Sequence, residues 1–221
     1  MPPANSFLLG IDVSSNQGTV DWGAVAQANI SFAYVRSSLG GQSSDNQFSA
    51  NWSQLNAAGL LRGAYHFFWP LAPAVDQANH YLQTVGTLAS GDLPPMVDLE
   101  PAFTKQNPTT DLWSTIPSNN RLSMILDWLN TVEQALGLKP FIYTYKSFIE
   151  NLLGDGLQQL SRYPLWIAHY TNAPQPNWPS AWNNWTLWQF TEKGQISGVN
   201  TSVDQDRFSG SLDDLKALAK P

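Results

Sequence analysis

At 221 residues and 24.4 kDa the chain has room for one sizeable domain, residues 1–221 with a core of about 7–217. A net charge of −6 and a pI of 4.8 argue against nucleic acid or an anionic membrane as partner, and 43% hydrophobic against 13% charged residues excludes a disordered chain. With no cysteine, disulfides, thiolate-bound zinc and thiol nucleophiles are excluded together.

Phe7–Ser14 is a short apolar run ending in Asp12 and Ser14 and predicts a strand. Asn16-Gln-Gly18 turns the chain, and Asp21 can cap a short helix to about Asn29. Ser31–Ser37 predicts a second strand. Phe48, Trp52, Leu55 and Ala58 then recur at helical spacing over 46–58, stopped by Gly59. Leu61–Phe68 predicts a third strand and 74–85 a helix.

Leu93-Pro-Pro-Met-Val-Asp-Leu-Glu100 follows as a fourth strand opened by two prolines. After a polar loop over 101–118, Leu122, Ile125, Leu126, Leu129, Val132 and Leu136 mark a long helix, with Ser118, Asn119 or Asn120 as its cap and Gly137 as its end. Phe141–Tyr145 predicts a strand, 147–153 a short helix and Tyr163–Tyr170 a sixth strand. Trp185–Phe190 and Ser202–Asp206 then come without a helix between them, and a last helix spans 212–219. Strand–helix alternation predicts parallel strands joined by right-handed crossovers. A complete (β/α)₈ barrel runs to about 250 residues. The expectation is therefore an α/β fold, an irregular, shortened β/α (TIM-like) barrel whose last strands lack helices.

Met1–Ser6 is not a signal peptide, and a mature domain with a replaced start would look the same. No apolar run approaches the about 20 residues of a membrane span. Sequons stand at Asn29, Asn51, Asn184 and Asn200, and matter only in a glycosylating pathway.

On a strand, Asp98 and Glu100 point the same way, with Cα atoms roughly 6.6–6.8 Å apart. Two carboxyls on one face of an apolar strand are costly unless they do chemistry or bind a cation; a lone Asp-x-Glu could equally be a solvated strand end. In a β/α barrel the active site lies at the C-terminal strand ends. Asp12 closes the first strand, Asp98 and Glu100 the fourth, and Asp204 and Asp206 sit in the last. Closure of the barrel would bring first and last strands together with the fourth across the mouth, so that acids distant in sequence share one cleft. The ten tryptophans suit core packing and also the flat faces of sugar-binding clefts.

In family order over about 7–208 stand Gly10-Ile-Asp-Val-Ser14 with Gln17-Gly18 and Asp21-Trp22, Phe32-Ala-Tyr-Val-Arg36, Ala58-Gly-Leu60, Gly63-Ala-Tyr-His-Phe67, Leu93-Pro to Asp98-Leu-Glu100, Ile142-Tyr-Thr144, Leu165-Trp-Ile-Ala-His-Tyr170, Trp188-Gln189 and Val203-Asp204. In these stretches the chain resembles the glycoside hydrolase family 25 lysozymes, N-acetylmuramidases that cut peptidoglycan. The resemblance implies Glu100 as catalytic acid with Asp98 beside it, and Asp12 and Asp204 completing the acidic cleft. It implies peptidoglycan glycan strands as partner, and secretion, or release by lysis in a phage-derived case; no cofactor and no metal are expected. A monomer is expected.

Glycosidic cleavage needs a proton for the leaving oxygen and negative charge near an oxocarbenium-like centre. Glu100, with the longer side chain, is assigned as the acid and Asp98 as the group acting on the substrate's 2-acetamido group or the cationic centre. The resemblance favours net retention. Tyr65, Tyr143, Trp166, Tyr170 and Gln189, near strand ends, are candidates for the sugar subsites; each could instead be barrel core. His66, His80 and His169 form no metal-ligand pattern and are expected to be structural, His66 being the one closest to an exception. Arg36 is placed either against a cleft acid or on the surface. Two rivals stay open: a Mg²⁺- or Ca²⁺-dependent barrel enzyme held by the same acids, and a non-catalytic peptidoglycan- or chitin-binding barrel.

Overall fold

The computed structural model describes residues 7–221, so the reading of Met1–Ser6 lies outside the described residues. The elements are β1 (Leu8–Val13), α1 (Trp22–Gln27), β2 (Phe32–Leu39), β3 (Ser43–Ser44), α2 (Phe48–Ala57), β4 (Leu61–Phe67), α3 (Ala74–Val85), β5 (Met96–Asp98), α4 (Ser118–Leu136), β6 (Phe141–Thr144), α5 (Lys146–Leu153), β7 (Leu165–Ala168), β8 (Leu187–Gly194), β9 (Val203–Phe208) and α6 (Leu212–Leu218). The sheet runs β1-β9-β8-β7-β6-β5-β4-β2 and closes through β1–β2, with β3 hanging on β2 alone. The shortened β/α barrel expected from the sequence is therefore present.

Leaving aside β3, which is antiparallel to β2, the barrel strands are parallel from β1 through β8. Helices join them up to β7 and the long loop of residues 169–186 leads into β8, but β9 is antiparallel to both β1 and β8. The cause is the short last connection. Residues 195–202 are too few for a crossover, which takes a dozen or more residues, so the chain reverses as a hairpin. Asp204 thus lies at the N-terminal end of its strand, yet at the same mouth as the C-terminal ends of the others, directly opposite Asp12.

The ladder of β5 is shorter than the predicted 93–100 because Pro94 and Pro95 have no N–H to give. The extended path continues beyond it all the same: Leu93 N–H donates to Arg62 O, and Leu99 N–H to Tyr143 O. The β2–β3 hairpin, whose start follows an irregularity between Arg36 and Ser38, has no counterpart in the sequence reading. Helix α4 begins at Ser118 behind Pro117 without a side-chain cap, and Gly137 ends it in the left-handed conformation (φ 71°).

Two apolar layers flank the strands. Between barrel and helices lie residues such as Val35, Val97, Trp128, Ile142 and Trp188. The barrel interior is aromatic: Phe32, Tyr34, Phe141, Trp166 and Phe208 fill it from below, with Tyr65 and Tyr143 nearer the mouth. Room for these rings comes from glycines. A Cβ at Gly10 would collide with the Phe32 ring and one at Gly63 with the Tyr34 ring. Two histidines are structural, as expected. His66 points outward from β4 and stacks on Trp128 at 5.6 Å, its Nε2 3.1 Å from Gln77 Oε1 and Nδ1 2.9 Å from Ser38 Oγ. Burial lowers its pKa to about 3, so it stays neutral. His80 contacts Ser44 on the outer surface. The Asn51 sequon is buried, its Oδ1 accepting from Trp22 Nε1 at 3.1 Å.

Candidate active site

At the mouth of the barrel two cavities meet. The smaller, about 290 Å³, is walled by Asp12, Arg36, Tyr65, Asp98, Gln189 and Asp204. The wider, about 680 Å³, is walled by Lys146, Glu150, His169, Tyr170 and Glu192. Glu100 and Tyr143 line both, so they stand where the cavities join. The alternation of β1, β5 and β9 explains the convergence: Asp12, Asp98 and Asp204 are inward positions on their strands, and Glu100 lies two residues past Asp98.

Crowding and burial act together on these acids. Desolvation first, then the Asp204 charge, pushes Glu100 up to about 7. Desolvation and then Glu192 raise Asp204 to about 6. Asp12 is raised by burial and then by Asp204, and Asp98 by burial and then by Glu100. Like carboxylates in a partly dry site cannot all ionise, so one or more hold a proton at neutral pH. Arg36 is the cation favouring charge on Asp98. It pairs with Asp45 at 2.9 Å and donates to Ser15 Oγ at 3.1 Å, so its guanidinium is held on the rim rather than on a cleft acid or in open solvent.

Gln189 ties the two cavities together. Its Oε1 accepts from Tyr143 OH at 2.8 Å and Tyr170 OH at 2.7 Å, which leaves Nε2 to donate to Asp12 Oδ2 at 2.7 Å. A buried side chain with every polar atom paired is a rigid fitting. Gln189→Leu keeps the bulk and orphans three groups, so a loss of about 2–4 kcal/mol in thermal or urea unfolding is expected. A variant as stable as the parent would show that the network carries little.

Against known families, the model for glycosyl hydrolases family 25 matches residues 11–199, most of the chain. The chain belongs to glycosyl hydrolases family 25. It is 32% identical over 221 residues to Lysozyme M1 of Streptomyces globisporus, covering 99% of this chain and 73% of that one. It is 28% identical to the N,O-diacetylmuramidase of a Chalaropsis species, covering 95% of this chain and 98% of the other. A bacterial lysozyme structure from Streptomyces coelicolor superposes with a TM-score of 0.89 at 32% identity, over 97% and 98% of the two chains. The chain is thus a glycosidase of the lysozyme kind, and its barrel is the family 25 barrel.

Within this family 25 site, most of the residues singled out from the sequence come together: Asp12, Asp98, Glu100, Asp204, Tyr65, Tyr143, Tyr170 and Gln189 all line one or other cavity. Trp166 does not. It is fully buried beneath the cleft, edge-on to Tyr34 and Tyr143, with Nε1 donating to Asp206 Oδ1 at 3.0 Å. Full burial two residues before the end of β7 makes it barrel floor. His169, expected to be structural, instead stands on the wider cavity's wall, with Nδ1 accepting from Asn177 N–H at 3.0 Å.

Three acids escaped the sequence reading as site residues: Glu150 on α5, which walls the wider cavity, Glu192 and Asp206. Glu192 reaches the wider cavity because β8 changes register between Gln189 and Thr191, which breaks the two-residue period that would have placed it. Asp206 was visible as a second acid in the last strand, but nothing in the pattern separates a cleft acid from one buried below it.

Proposed function

We propose that this family 25 enzyme cleaves the β-1,4 bond between N-acetylmuramic acid and N-acetylglucosamine in peptidoglycan, with Glu100 as general acid and then base. The observation that carries the assignment is the position of Glu100 at the junction of the two cavities, with its pKa pushed up to about 7. A sugar chain lying through both cavities passes this carboxyl, which holds its proton at mildly acidic pH, as a leaving oxygen requires. The relatives named as lysozyme and muramidase support peptidoglycan as the substrate.

Asp98 is assigned to the substrate's 2-acetamido group. One of its oxygens, Oδ1, is buried without a hydrogen-bond partner among the described residues, so an N–H donor from substrate would satisfy it. Held in this way, the acetamido oxygen attacks the anomeric carbon while Glu100 protonates the departing oxygen. Glu100, now a carboxylate, takes a proton from the water that opens the cyclic intermediate, and the two displacements give net retention. Asp12 and Asp204 set the charge around this pair. Tyr65, Tyr143 and Tyr170 offer aromatic faces to the sugars. Residues 7–217 act as one catalytic domain, monomeric and extracellular. Among the described residues no helix is long and apolar enough to cross a membrane.

Turbidity clearing of purified cell walls, followed by mass spectrometry of the fragments, tests the reading. New reducing ends on muramic acid are expected. Reducing ends on glucosamine would make the enzyme a glucosaminidase, and binding without clearing would make it a carrier of a dead cleft. Clearing is expected to be unchanged in EDTA; loss restored by Mg²⁺ or Ca²⁺ would favour a metal-held site instead.

A further inference from the structure

Below the cleft, Asp206 is a fully buried carboxyl that the reaction outlined above does not use. It sits on β9 opposite Gly10 on one side and Gln189 on the other, with its side chain turned into the barrel. Oδ1 accepts from Trp166 Nε1 at 3.0 Å. Oδ2 has no N–H or O–H donor among the described residues. Its diagonal neighbour on β1 is Asp12, two residues past Gly10 and turned inward like Asp206, and a proton on either carboxyl would let the two hydrogen-bond. The remaining ionisable neighbours are Asp204 on the same strand and Tyr34 on β2, and the Tyr34 hydroxyl is engaged in donating to Pro94 O at 3.0 Å. Among the described residues, no lysine, arginine or histidine offsets its charge.

Two ionised carboxylates cannot face each other in a dry pocket with no cation between them. Only a proton makes this contact favourable, and it can rest on either partner. Burial and then Asp204 raise Asp12 as well, but Asp12 opens to the smaller cavity and accepts from Gln189 Nε2, two features that work toward its ionised form. Asp206 has one indole donor and no access to water, and burial raises its pKa well above the usual carboxylate range.

We propose that Asp206 is a positioning residue held as a neutral carboxylic acid, which accepts from Trp166 and donates its proton to Asp12, thereby fixing Asp12 at the base of the cleft. The proposal deepens the reading of the acid cluster given above and rests on it for the importance of Asp12. It also explains the fully buried Trp166: its indole N–H orients the acid so that the hydroxyl oxygen is the one facing Asp12. A neutral Asp206 adds no charge beneath Glu100, so a proton donor suited to mildly acidic pH can sit above five other acids, Asp12, Asp98, Glu192, Asp204 and Asp206.

The test compares two substitutions. In Asp206→Asn the side-chain oxygen still accepts from Trp166 and the amide N–H still donates to Asp12. It is expected to keep kcat within about threefold, with the alkaline limb of the pH–rate profile moved by less than about a third of a unit. Asp206→Ala leaves Asp12 without its donor and Trp166 without its acceptor, and kcat is expected to fall about tenfold or more. An acid shift of the limb by about a unit or more in Asp206→Asn would mean that the native group is charged, and would overturn the proposal. Equal impairment of both variants, or full activity in both, would overturn it as well.

Infrared difference spectra give a readout independent of turnover and of the stability of the alanine variant. At about pH 9, above the values of Glu100 and Asp204, the parent should retain a protonated-carboxyl band that Asp206→Asn lacks. Absence of that difference overturns the proposal. Should Glu100→Gln prove active, the catalytic assignment fails while the infrared result still decides the state of Asp206.

Discussion

Glu100→Gln is expected to lower kcat by at least about 10²-fold, the usual contribution of a positioned general acid, and to do so in a protein more stable than the parent at neutral pH. The second half follows from linkage. The folded-state pKa of Glu100 is raised from 4.5 to about 7. Between those values the folded state binds more protons than the unfolded one, so stability falls as pH rises through this window. The glutamine side chain carries no such dependence. Its variant should therefore unfold like the parent near pH 4 and gain up to about 3 kcal/mol by pH 8. A melting-temperature series from pH 4 to 8, measured beside wall clearing, checks both halves. The parent's activity should fall as pH rises through about 7, as the proton leaves Glu100. A folded, nearly active variant, or a parent whose activity holds level into alkaline pH, would remove Glu100 from the role of acid.

That a group central to the chemistry destabilises the fold also explains how much the sequence revealed. The helices came through because they obey local rules: the stripe from Leu122 to Leu136 and the stop at Gly137 place the end of α4, while its start at Ser118 falls on a residue read as a possible cap. Asp98 and Glu100 stood out because carboxylates ending an apolar, proline-led run break the pattern around them. Charge in the wrong place is a signal that composition cannot hide.

What stayed hidden depends on contacts between distant segments. The reversal of β9 follows from the length of the preceding loop, and it changes the end of the strand on which Asp204 stands while keeping it at the same mouth. The register change in β8 brings in Glu192, and no alternation count survives such an irregularity. Trp166 and Gln189 both sit inward near strand ends in the sequence. Only depth along the barrel axis distinguishes them, and depth is set by strand stagger rather than by residue type.

Asp98→Asn carries the second large effect: kcat about 10²–10³-fold lower, with KM little changed. The amide has the size of the carboxylate and can still accept a hydrogen bond, so the barrel end around Tyr143 and Phe67, its neighbours in register, should be undisturbed. What it cannot do is strengthen an N–H contact as the acetamido group becomes positive on attacking the anomeric carbon. A charge that matters only as the transition state forms appears in kcat and not in KM. The same change removes a like charge beside Glu100, since the Asp98–Glu100 interaction raises the pKa of Asp98 and must act in both directions. The alkaline limb of the residual activity should therefore move toward lower pH, which a mere loss of sugar contacts would not produce. Activity within tenfold of the parent and an unmoved limb would together show that Asp98 neither assists the acetamido group nor sets the proton affinity of Glu100. The acid would then have to act with Asp12 or Asp204 as its partner, and Asp12→Asn and Asp204→Asn, expected to be milder, would become the severe variants.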